Sequence, residues 1–278
     1  MAKIEIINKD FRECEIPKGL VITDPPYNQG YAYNEYRDRM SEEDYIALLS
    51  KIPTPCVIIH YPEETINLLP NALNVKCEQV VCWVYNSNTG KQSRLISWWG
   101  CKPDFRKVRQ EYKNLKDKRI MARIAEGKTG AKLYDWWEIN QVKNVSKEKT
   151  DHPCQIPEEL ISRIIQITAK EGETIIDTFG GSGTTSKVAN ELGFDTVSYE
   201  IDEKYFEIIN KRVGNFNKSF SALNQLMLIQ QGEARTMTGL LRKSFTKGHL
   251  EKNFYVQQYF AEKSQEEIIN SIQIGEFN

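Results

Sequence analysis

Short apolar runs that alternate with helical patterns constrain the fold of this chain more than any other feature of its sequence. Four runs have the length and composition of β-strands, namely 3–7, 20–23, 56–60 and 79–85. Between the second and third lies a helical pattern over 41–50, where Ser41 is the predicted N-cap and Asp44 completes a capping box. Strands that alternate with helices are typical of parallel βα units, so we predict an α/β fold.

The same alternation returns in the second half of the chain. Pro157 and the two glutamates that follow it favour a helix start. The elements predicted from there on are this helix, a strand over 174–177, a helix over 184–192, a strand over 196–200 and a helix over 202–213.

The segment between the two halves, 86–150, has weak apolar periodicity and is predicted to be an insertion, partly helical around 103–125. It contains 16 Lys and Arg against 7 Asp and Glu, whereas the whole chain has 37 and 38. This excess of positive charge indicates either a surface that faces a polyanion or a solvated lysine-rich face. The tail, 214–278, is predicted to be a C-terminal extension with helices near 219–231 and 262–273.

Composition narrows the class of protein. No apolar run approaches the ~20 residues that cross a bilayer, and the first residues, MAKIEIINKDF, lack the pattern of a signal peptide. The six cysteines form no CxxC pair, which favours reduced thiols and argues against a zinc site. We therefore expect a cytoplasmic protein without a metal ion and without a membrane partner.

A glycine-rich turn between a strand and a helix, TFGGSGTT at 178–185, marks a candidate ligand site. It lacks the Lys of a phosphate-binding loop and the third glycine of the dinucleotide fingerprint. A nucleoside without phosphates suits such a turn, because Glu200 at the end of the next strand can accept hydrogen bonds from two ribose hydroxyls. The alternative is a merely tight connection between strand and helix.

Three stretches in this order resemble the β group of the DNA amino-methyltransferases: DPPY at 24–27, HPCQIPEEL at 152–160 and DTFGGSGTT at 177–185. The resemblance covers roughly residues 3–213. It implies a Rossmann-like methyltransferase fold with a mostly parallel seven-stranded sheet flanked by helices and a circularly permuted motif order. It also implies that 1–85 and 151–213 form one catalytic and cofactor-binding domain, with 86–150 as the target-recognition region.

The resemblance further implies S-adenosylmethionine as the methyl donor. The residues expected to hold it are Asp10, His152, Pro153, Gln155, Pro157, Asp177, Phe179, Gly180, Gly181, Ser182, Gly183, Thr184, Thr185 and Glu200. Asp10 is expected beside the cofactor adenine, Glu200 on the ribose, and the residues from His152 to Pro157 along the methionine end. The family has Pro, Thr and Lys in place of Thr178, Cys154 and Ile156, so the methionine pocket is expected to differ in shape.

The DPPY motif suggests how the methyl group is transferred. The amino group of adenine or cytosine is a poor nucleophile because its lone pair is delocalised into the ring. Asp24 can accept one amino hydrogen and the Pro25 carbonyl the other, and both bonds strengthen as positive charge builds on nitrogen. Pro25 and Pro26 stiffen the backbone, and Tyr27 offers a flat face to a base swung out of the duplex. The structural alternative is a Pro-Pro turn with a capping Asp and a packed Tyr.

A leading Asp in this motif is more typical of N6-adenine enzymes and a leading Ser of N4-cytosine enzymes, so we predict direct methyl transfer to adenine N6 of duplex DNA by a bacterial or phage protein. Transfer to cytosine N4 or to RNA is the nearest alternative. A catalytically silent DNA-binding protein of the same fold belongs to a different class. The missing pyrophosphate fingerprint disfavours an oxidoreductase. A second copy of the chain and a cognate restriction endonuclease stay open as further partners.

The basic insertion contains the candidate DNA contacts. Phosphate contacts more than base contacts are predicted for Arg94, Arg106, Lys107 and Arg109. The pairs Trp98-Trp99 and Trp136-Trp137 are predicted to be core residues rather than stacking platforms. The Tyr-rich stretch 27–39 is predicted either to close over the cofactor and the target base or to pack on the sheet.

Overall fold

The computed structural model describes residues 2–31, 33–34, 36–87, 90–112, 114–128 and 130–214. The helices predicted near 219–231 and 262–273 lie outside the described residues, as does the extension after residue 214. No helix among the described residues is long and apolar enough to span a membrane.

Strands and helices alternate along most of the described part of the chain. The strands are β1 (Ile4–Ile7), β2 (Leu20–Thr23), β3 (Cys56–His60), β4 (Cys77–Val84), β5 (Ser93–Trp99), β6 (Arg109–Gln110), β7 (Ala131–Lys132), β8 (Trp136–Glu138), β9 (Ile175–Asp177) and β10 (Thr196–Tyr199). The helices are α1 (Glu42–Leu49), α2 (Pro62–Asn67), α3 (Leu69–Ala72), α4 (Lys118–Ala125), α5 (Glu158–Thr168) and α6 (Thr184–Glu191), with a short 3-10 helix at Phe11–Glu13 and further helical residues over 203–214.

Eight of these strands form one sheet in the order β1-β10-β9-β2-β3-β5-β4-β8, and β6 pairs with β7 separately. The pairs from β1 to β3 and the pair β4-β8 are parallel, whereas β5 runs antiparallel to both β3 and β4. The predicted fold class, a mostly parallel sheet flanked by helices, is confirmed. The sheet has eight strands, one more than the predicted seven. At its edge, β8 is only three residues long.

The central strands are buried on both faces, which explains why they read as continuous apolar runs. Along β3 the side chains alternate between two hydrophobic clusters. Val57 and Ile59 belong to the cluster that includes Leu160 and Ile164 of α5. Ile58 belongs to the cluster that includes residues of α1. The sheet is therefore covered on both faces, and its carboxyl edge is left to form a site.

Helix α1 begins where the sequence predicts. The Ser41 hydroxyl accepts a hydrogen bond from the Asp44 backbone N–H at 3.1 Å and donates to the Asp44 carboxylate at 2.7 Å. The predicted N-cap is thus present, but the Asp44 carboxylate accepts from the Ser41 hydroxyl instead of the Ser41 backbone N–H that a capping box uses.

The segment 86–150 contributes to the main sheet. Strand β5 lies between β3 and β4, and β8 pairs with β4 at the edge. Trp98, Trp99 and Trp137 are buried, as the core interpretation predicts, while Trp136 is 38% exposed. The helical part of the segment is α4, and the division of the chain into a catalytic domain and an inserted recognition region stays a prediction.

Candidate active site and cofactor pocket

The DPPY motif and the glycine turn follow two neighbouring strands. β2 and β9 are parallel, with Leu20 opposite Ile175 and Val21 opposite Ile176. Carboxyl ends of parallel neighbours meet at one edge of a sheet, where α/β folds bind ligands. Asp24 follows β2 directly and lines the same pocket as Gly181. The two motifs therefore meet at one edge of the sheet, while the role of each residue stays a prediction.

This pocket contains about 980 Å³ of space, including its opening to solvent. The predicted residues that line it are Asp10, Asp24, Pro26, His152, Asp177, Phe179, Gly180, Gly181, Ser182, Thr184, Thr185 and Glu200. The predicted residues absent from the lining are Pro25, Tyr27, Pro153, Gln155, Pro157 and Gly183. Tyr33 and Tyr36 of the 27–39 stretch also line the pocket.

The glycine turn has a backbone that side chains would disturb. Gly181 and Gly183 have φ values of +52° and +73°, in the left-handed region that favours glycine. A Cβ on Gly181 would lie 3.2 Å from His152 Nε2, and a Cβ on Gly183 would lie 2.9 Å from Ile209 Cγ2. Glycine at these two positions therefore allows the turn to pack closely against His152 and Ile209, and at Gly181 it leaves backbone in the lining of the pocket.

Glu200 fixes this turn from the next strand. Its two carboxylate oxygens accept hydrogen bonds from the backbone N–H groups of Gly181, at 2.7 Å, and of Asp202, at 2.9 Å. Burial raises the pKa of Glu200. Each carboxylate oxygen has a second lone pair, so the group retains acceptor capacity for the ribose hydroxyls assigned to it.

Asp177 binds the start of the turn. Its Oδ1 accepts hydrogen bonds from the Thr23 hydroxyl at 2.9 Å and from the Phe179 backbone N–H at 3.1 Å. Burial raises the pKa of Asp177 to about 7. The carboxylate thus links the end of β2 to the glycine turn while it also lines the pocket.

His152 lies against the turn with its ring 4.4 Å, centroid to centroid, from that of Tyr205. Burial, with a smaller contribution from Lys149, lowers the pKa of His152 to about 4, so the ring is neutral at pH 7. Its Nδ1 is buried without a hydrogen-bond partner among the described residues. An unsatisfied ring nitrogen beside a glycine cradle fits a polar ligand such as S-adenosylmethionine.

Gln155 has a different environment. Its side chain accepts hydrogen bonds from the Thr150 N–H and hydroxyl and donates to the Glu148 carbonyl at 2.6 Å. These bonds hold the segment that carries His152 in place. Asp10 lines the pocket and forms a bidentate ion pair with Arg12, which lowers the pKa of the Asp10 carboxyl.

On the other side of the pocket, the Tyr27 hydroxyl donates a hydrogen bond to Asp24. Burial raises the pKa of Asp24 to about 6, against the opposing effects of the Arg94 charge and the Tyr27 hydrogen bond. The Tyr27 ring stacks on His60 at 4.4 Å and meets Tyr61 edge-on at 4.7 Å. Tyr27 therefore packs against the protein and lines a second pocket rather than the first.

A hydrogen-bonded chain, which sequence reasoning missed, supports the Pro-Pro turn. The Tyr61 N–H donates to His60 Nδ1 at 2.8 Å, so the proton of the neutral ring lies on Nε2. Nε2 is 2.6 Å from the Tyr45 hydroxyl, which donates to the Pro26 carbonyl at 2.6 Å. Burial lowers the pKa of His60 to about 3. In the sequence, these hydrogen bonds are indicated only by a His at the carboxyl end of the buried run CVIIH.

The predicted DNA contacts have four different environments. Arg106 is exposed and ion-paired with Asp104 at 2.9 Å, and Arg109 is exposed in β6. The Lys107 ammonium donates to the Ala169 carbonyl at 3.0 Å. Arg94, in contrast, lies beside Tyr27, with its guanidinium carbon 5.0 Å from the ring centroid. The structure therefore separates the environment of Arg94 from that of the exposed cations.

A family model described as DNA methylase, N6_N4_Mtase, matches residues 19–211, which is well over half of the chain. The chain belongs to this DNA methylase family. S-adenosylmethionine is the methyl donor of these enzymes, and duplex DNA is their substrate. The base that this methylase modifies is adenine or cytosine, at the exocyclic amine.

Individual relatives agree with the family match. The type II methyltransferase M.HpaI of Haemophilus parainfluenzae is 24% identical over 270 residues, which cover 91% of this methylase and 84% of that protein. The DNA adenine methyltransferase YhdJ of Escherichia coli K12 is 25% identical, with coverage of 70% and 75%. The solved structure of the PvuII cytosine-N4-specific DNA methyltransferase superposes with a TM-score of 0.55 at 16% identity, covering 76% and 86% of the two chains, which shows the shared fold.

Proposed function

We propose that this methylase is a site-specific adenine-N6 enzyme that modifies an adenine flipped out of duplex DNA, as part of a restriction-modification system in the cytoplasm of a bacterium or phage-infected cell. The observation that carries the proposal is the shared pocket of Asp24 and the glycine turn. A leading Asp in DPPY supports adenine, as does the similarity to YhdJ, a DNA adenine methyltransferase. The similarity to M.HpaI, a type II methyltransferase, supports the restriction-modification setting.

The proposed roles follow from the groups around the pocket. When bound, S-adenosylmethionine supplies an electrophilic methyl group on its sulfonium. Asp24 and the Pro25 carbonyl accept the two amino hydrogens and so orient the nitrogen lone pair toward that methyl group. The amine nitrogen would gain the methyl group as sulfur takes the electrons of the S–CH₃ bond, and the proton that the amine loses would pass to the Asp24 carboxylate or to water. No covalent enzyme intermediate is needed.

The cofactor side is proposed to comprise Asp10, His152, the 177–185 turn and Glu200. For target recognition we propose the 86–150 segment, in which the positive charge favours contact with phosphates. Its strands β5 and β8 join the sheet of the proposed catalytic domain, 1–85 and 151–213. A second copy of the chain is a further proposed partner, which sedimentation analysis of the free and DNA-bound protein tests.

One experiment tests the function directly. The full chain is incubated with genomic DNA of diverse sequence and S-adenosylmethionine carrying an isotopically labelled methyl group, and the digested nucleosides are identified by mass spectrometry. Labelled N6-methyladenine is the expected product, and the Asp24→Ala variant is the matched negative control. Labelled N4-methylcytosine would replace adenine with cytosine as the target, and the absence of any labelled nucleoside would contradict the proposal.

A further inference from the structure

Arg94 has an unusual environment for a cation. Strand β5 places its guanidinium among four aromatic rings. The distances from the guanidinium carbon to the ring centroids are 5.0 Å for Tyr27, 5.2 Å for Trp83, 5.7 Å for Tyr61 and 5.8 Å for Tyr85. Aromatic faces stabilise a cation electrostatically, most strongly where water is excluded.

This guanidinium lacks the partner that a buried charge usually has. Among the described residues, no carboxylate lies within ion-pair distance of Arg94, and its Nε is buried without a hydrogen-bond partner. A buried charge without a paired carboxylate is costly unless the local field offsets it. Tyr27 connects it to Asp24, because the Tyr27 ring lies 5.0 Å from the guanidinium carbon and the Tyr27 hydroxyl donates a hydrogen bond to the Asp24 carboxylate. The charge of Asp24 also acts on Arg94 across this short separation.

We propose that Arg94 is a positioning residue for methyl transfer. Its positive charge, held among four aromatic rings, keeps Asp24 ionised, so that this carboxylate can accept a hydrogen bond from the target amine. The inference rests on the proposed role of Asp24. Arg94 would then act on the Asp24 carboxylate in the pocket and not, as the sequence predicts, on a DNA phosphate.

The other groups around Asp24 do not supply this charge. The titratable groups that interact with Asp24 come from six parts of the fold and are Tyr27, Tyr33, Tyr45, Tyr85, Arg94, Cys154 and Asp177. Arg94 is the cation in this set, whereas Asp177 has the same sign as Asp24. Arg12 lines the pocket as well, but its charge is paired with Asp10 at 2.5 Å.

The direction of the effect follows from the balance at Asp24. Burial raises the pKa of Asp24 to about 6, and the Arg94 charge is the first of the effects that oppose burial. Removal of the cation therefore raises the pKa of Asp24 further, toward neutral pH. A protonated Asp24 is a weaker acceptor and carries no negative charge to stabilise the positive charge that builds on the amine nitrogen, so methyl transfer would need a higher pH.

The test is the pH dependence of single-turnover methyl transfer at saturating DNA and S-adenosylmethionine. The wild-type rate is expected to rise with an apparent pKa of about 6. In Arg94→Met this midpoint should move up by on the order of one pH unit, so the rate falls about twofold at pH 7 and about tenfold near pH 5, and recovers at alkaline pH. Arg94→Lys, which restores a positive charge, should return the midpoint toward the wild-type value.

Arg163→Met is the matched control, because Arg163 also has its guanidinium over an aromatic ring, at 5.9 Å from Trp137, but lies on α5 in an ion pair with Glu159. Its pH midpoint should equal that of wild type. Circular dichroism and calorimetric S-adenosylmethionine binding establish that each variant is folded. Where Arg94→Met does not fold, Arg94→Gln is measured in the same way and decides the outcome.

Two results would overturn the inference. A rate that falls equally at every pH would assign Arg94 a structural role. Weaker DNA binding with a reduced salt dependence and an unmoved midpoint would assign it to a DNA phosphate. Failure of the proposed role of Asp24 is distinguishable from both, because Asp24→Ala would then retain methyl transfer, whatever the Arg94 variants do. Failure of the proposed function is distinguishable as well, because the wild-type chain would then label no nucleoside.

Discussion

The two sides of the pocket are built in different ways. On the cofactor side, backbone N–H groups of the glycine turn bind the nearby carboxylates of Asp177 and Glu200. On the proposed target side, which is the DPPY turn, side chains from separate elements pack around Pro26 and Tyr27, among them Tyr45 of α1, His60 of β3 and Arg94 of β5. A binding surface made of backbone depends on the conformation of one turn, whereas the target side depends on the order of the strands. Substitutions on the first side should therefore alter cofactor affinity, and those on the second should alter turnover.

The largest effect is expected for Asp24→Ala. Loss of the carboxylate removes an acceptor whose bond to the amine strengthens in the transition state, so methyl transfer should fall by about a thousandfold or more. S-adenosylmethionine affinity, measured by calorimetry, should stay within a factor of about two because the glycine turn is intact. A variant that loses both properties would show that the two sides are not separable.

Gly181→Val should weaken cofactor affinity, the property that Asp24→Ala should leave unchanged. A β-branched side chain at φ +52° is strained, and its Cβ would lie 3.2 Å from His152 Nε2. We expect S-adenosylmethionine affinity to weaken by on the order of a hundredfold. Gly193→Val is the matched control, since Gly193 has φ +81° with nothing within 4 Å of a Cβ, so it should lose stability but keep cofactor affinity. Equal affinities for the two variants would contradict the assignment of the turn.

Tyr45→Phe tests the hydrogen-bonded chain on the target side. It removes the hydroxyl between His60 Nε2–H and the Pro26 carbonyl, each 2.6 Å away, and leaves both buried groups unsatisfied. The turnover number should fall about tenfold while the KM for S-adenosylmethionine is retained. Tyr134→Phe, which removes an exposed hydroxyl, should leave both constants unchanged. A change in KM alone would place Tyr45 on the cofactor side.

The smallest effect is expected outside both sides. Replacement of Arg106 and Lys107 by Gln should weaken DNA binding several-fold and lower the slope of log affinity against log salt by about one for each phosphate that is no longer bound. The effect is small because Arg106 already forms an ion pair with Asp104, and Lys107 already donates a hydrogen bond to the Ala169 carbonyl. Fluorescence anisotropy over a range of salt concentrations measures the slope, and an unaltered slope would place the DNA-binding surface elsewhere.

The cofactor side could be predicted from the sequence because its parts are contiguous or follow predicted strands. The apolar runs predict β2 and β3 to the residue, since strands buried on both faces appear as unbroken apolar runs. No such run predicts β5, because its first residues are Ser93 and Arg94 and it lies in a highly charged segment. Without β5 between β3 and β4, nothing in the sequence brings Arg94 near Tyr27. The target side therefore needs the strand order, which is a non-local property of the chain.

The hydrogen bond from Tyr27 to Asp24 has a consequence for the arrival of DNA. The Tyr27 donor uses part of the acceptor capacity of the carboxylate and leaves lone pairs for a further donor. Between catalytic cycles this bond spares the protein part of the penalty of a bare buried anion. A donor that arrives from outside therefore meets a carboxylate that its own chain already holds in position, so less conformational freedom is lost when the new bond forms.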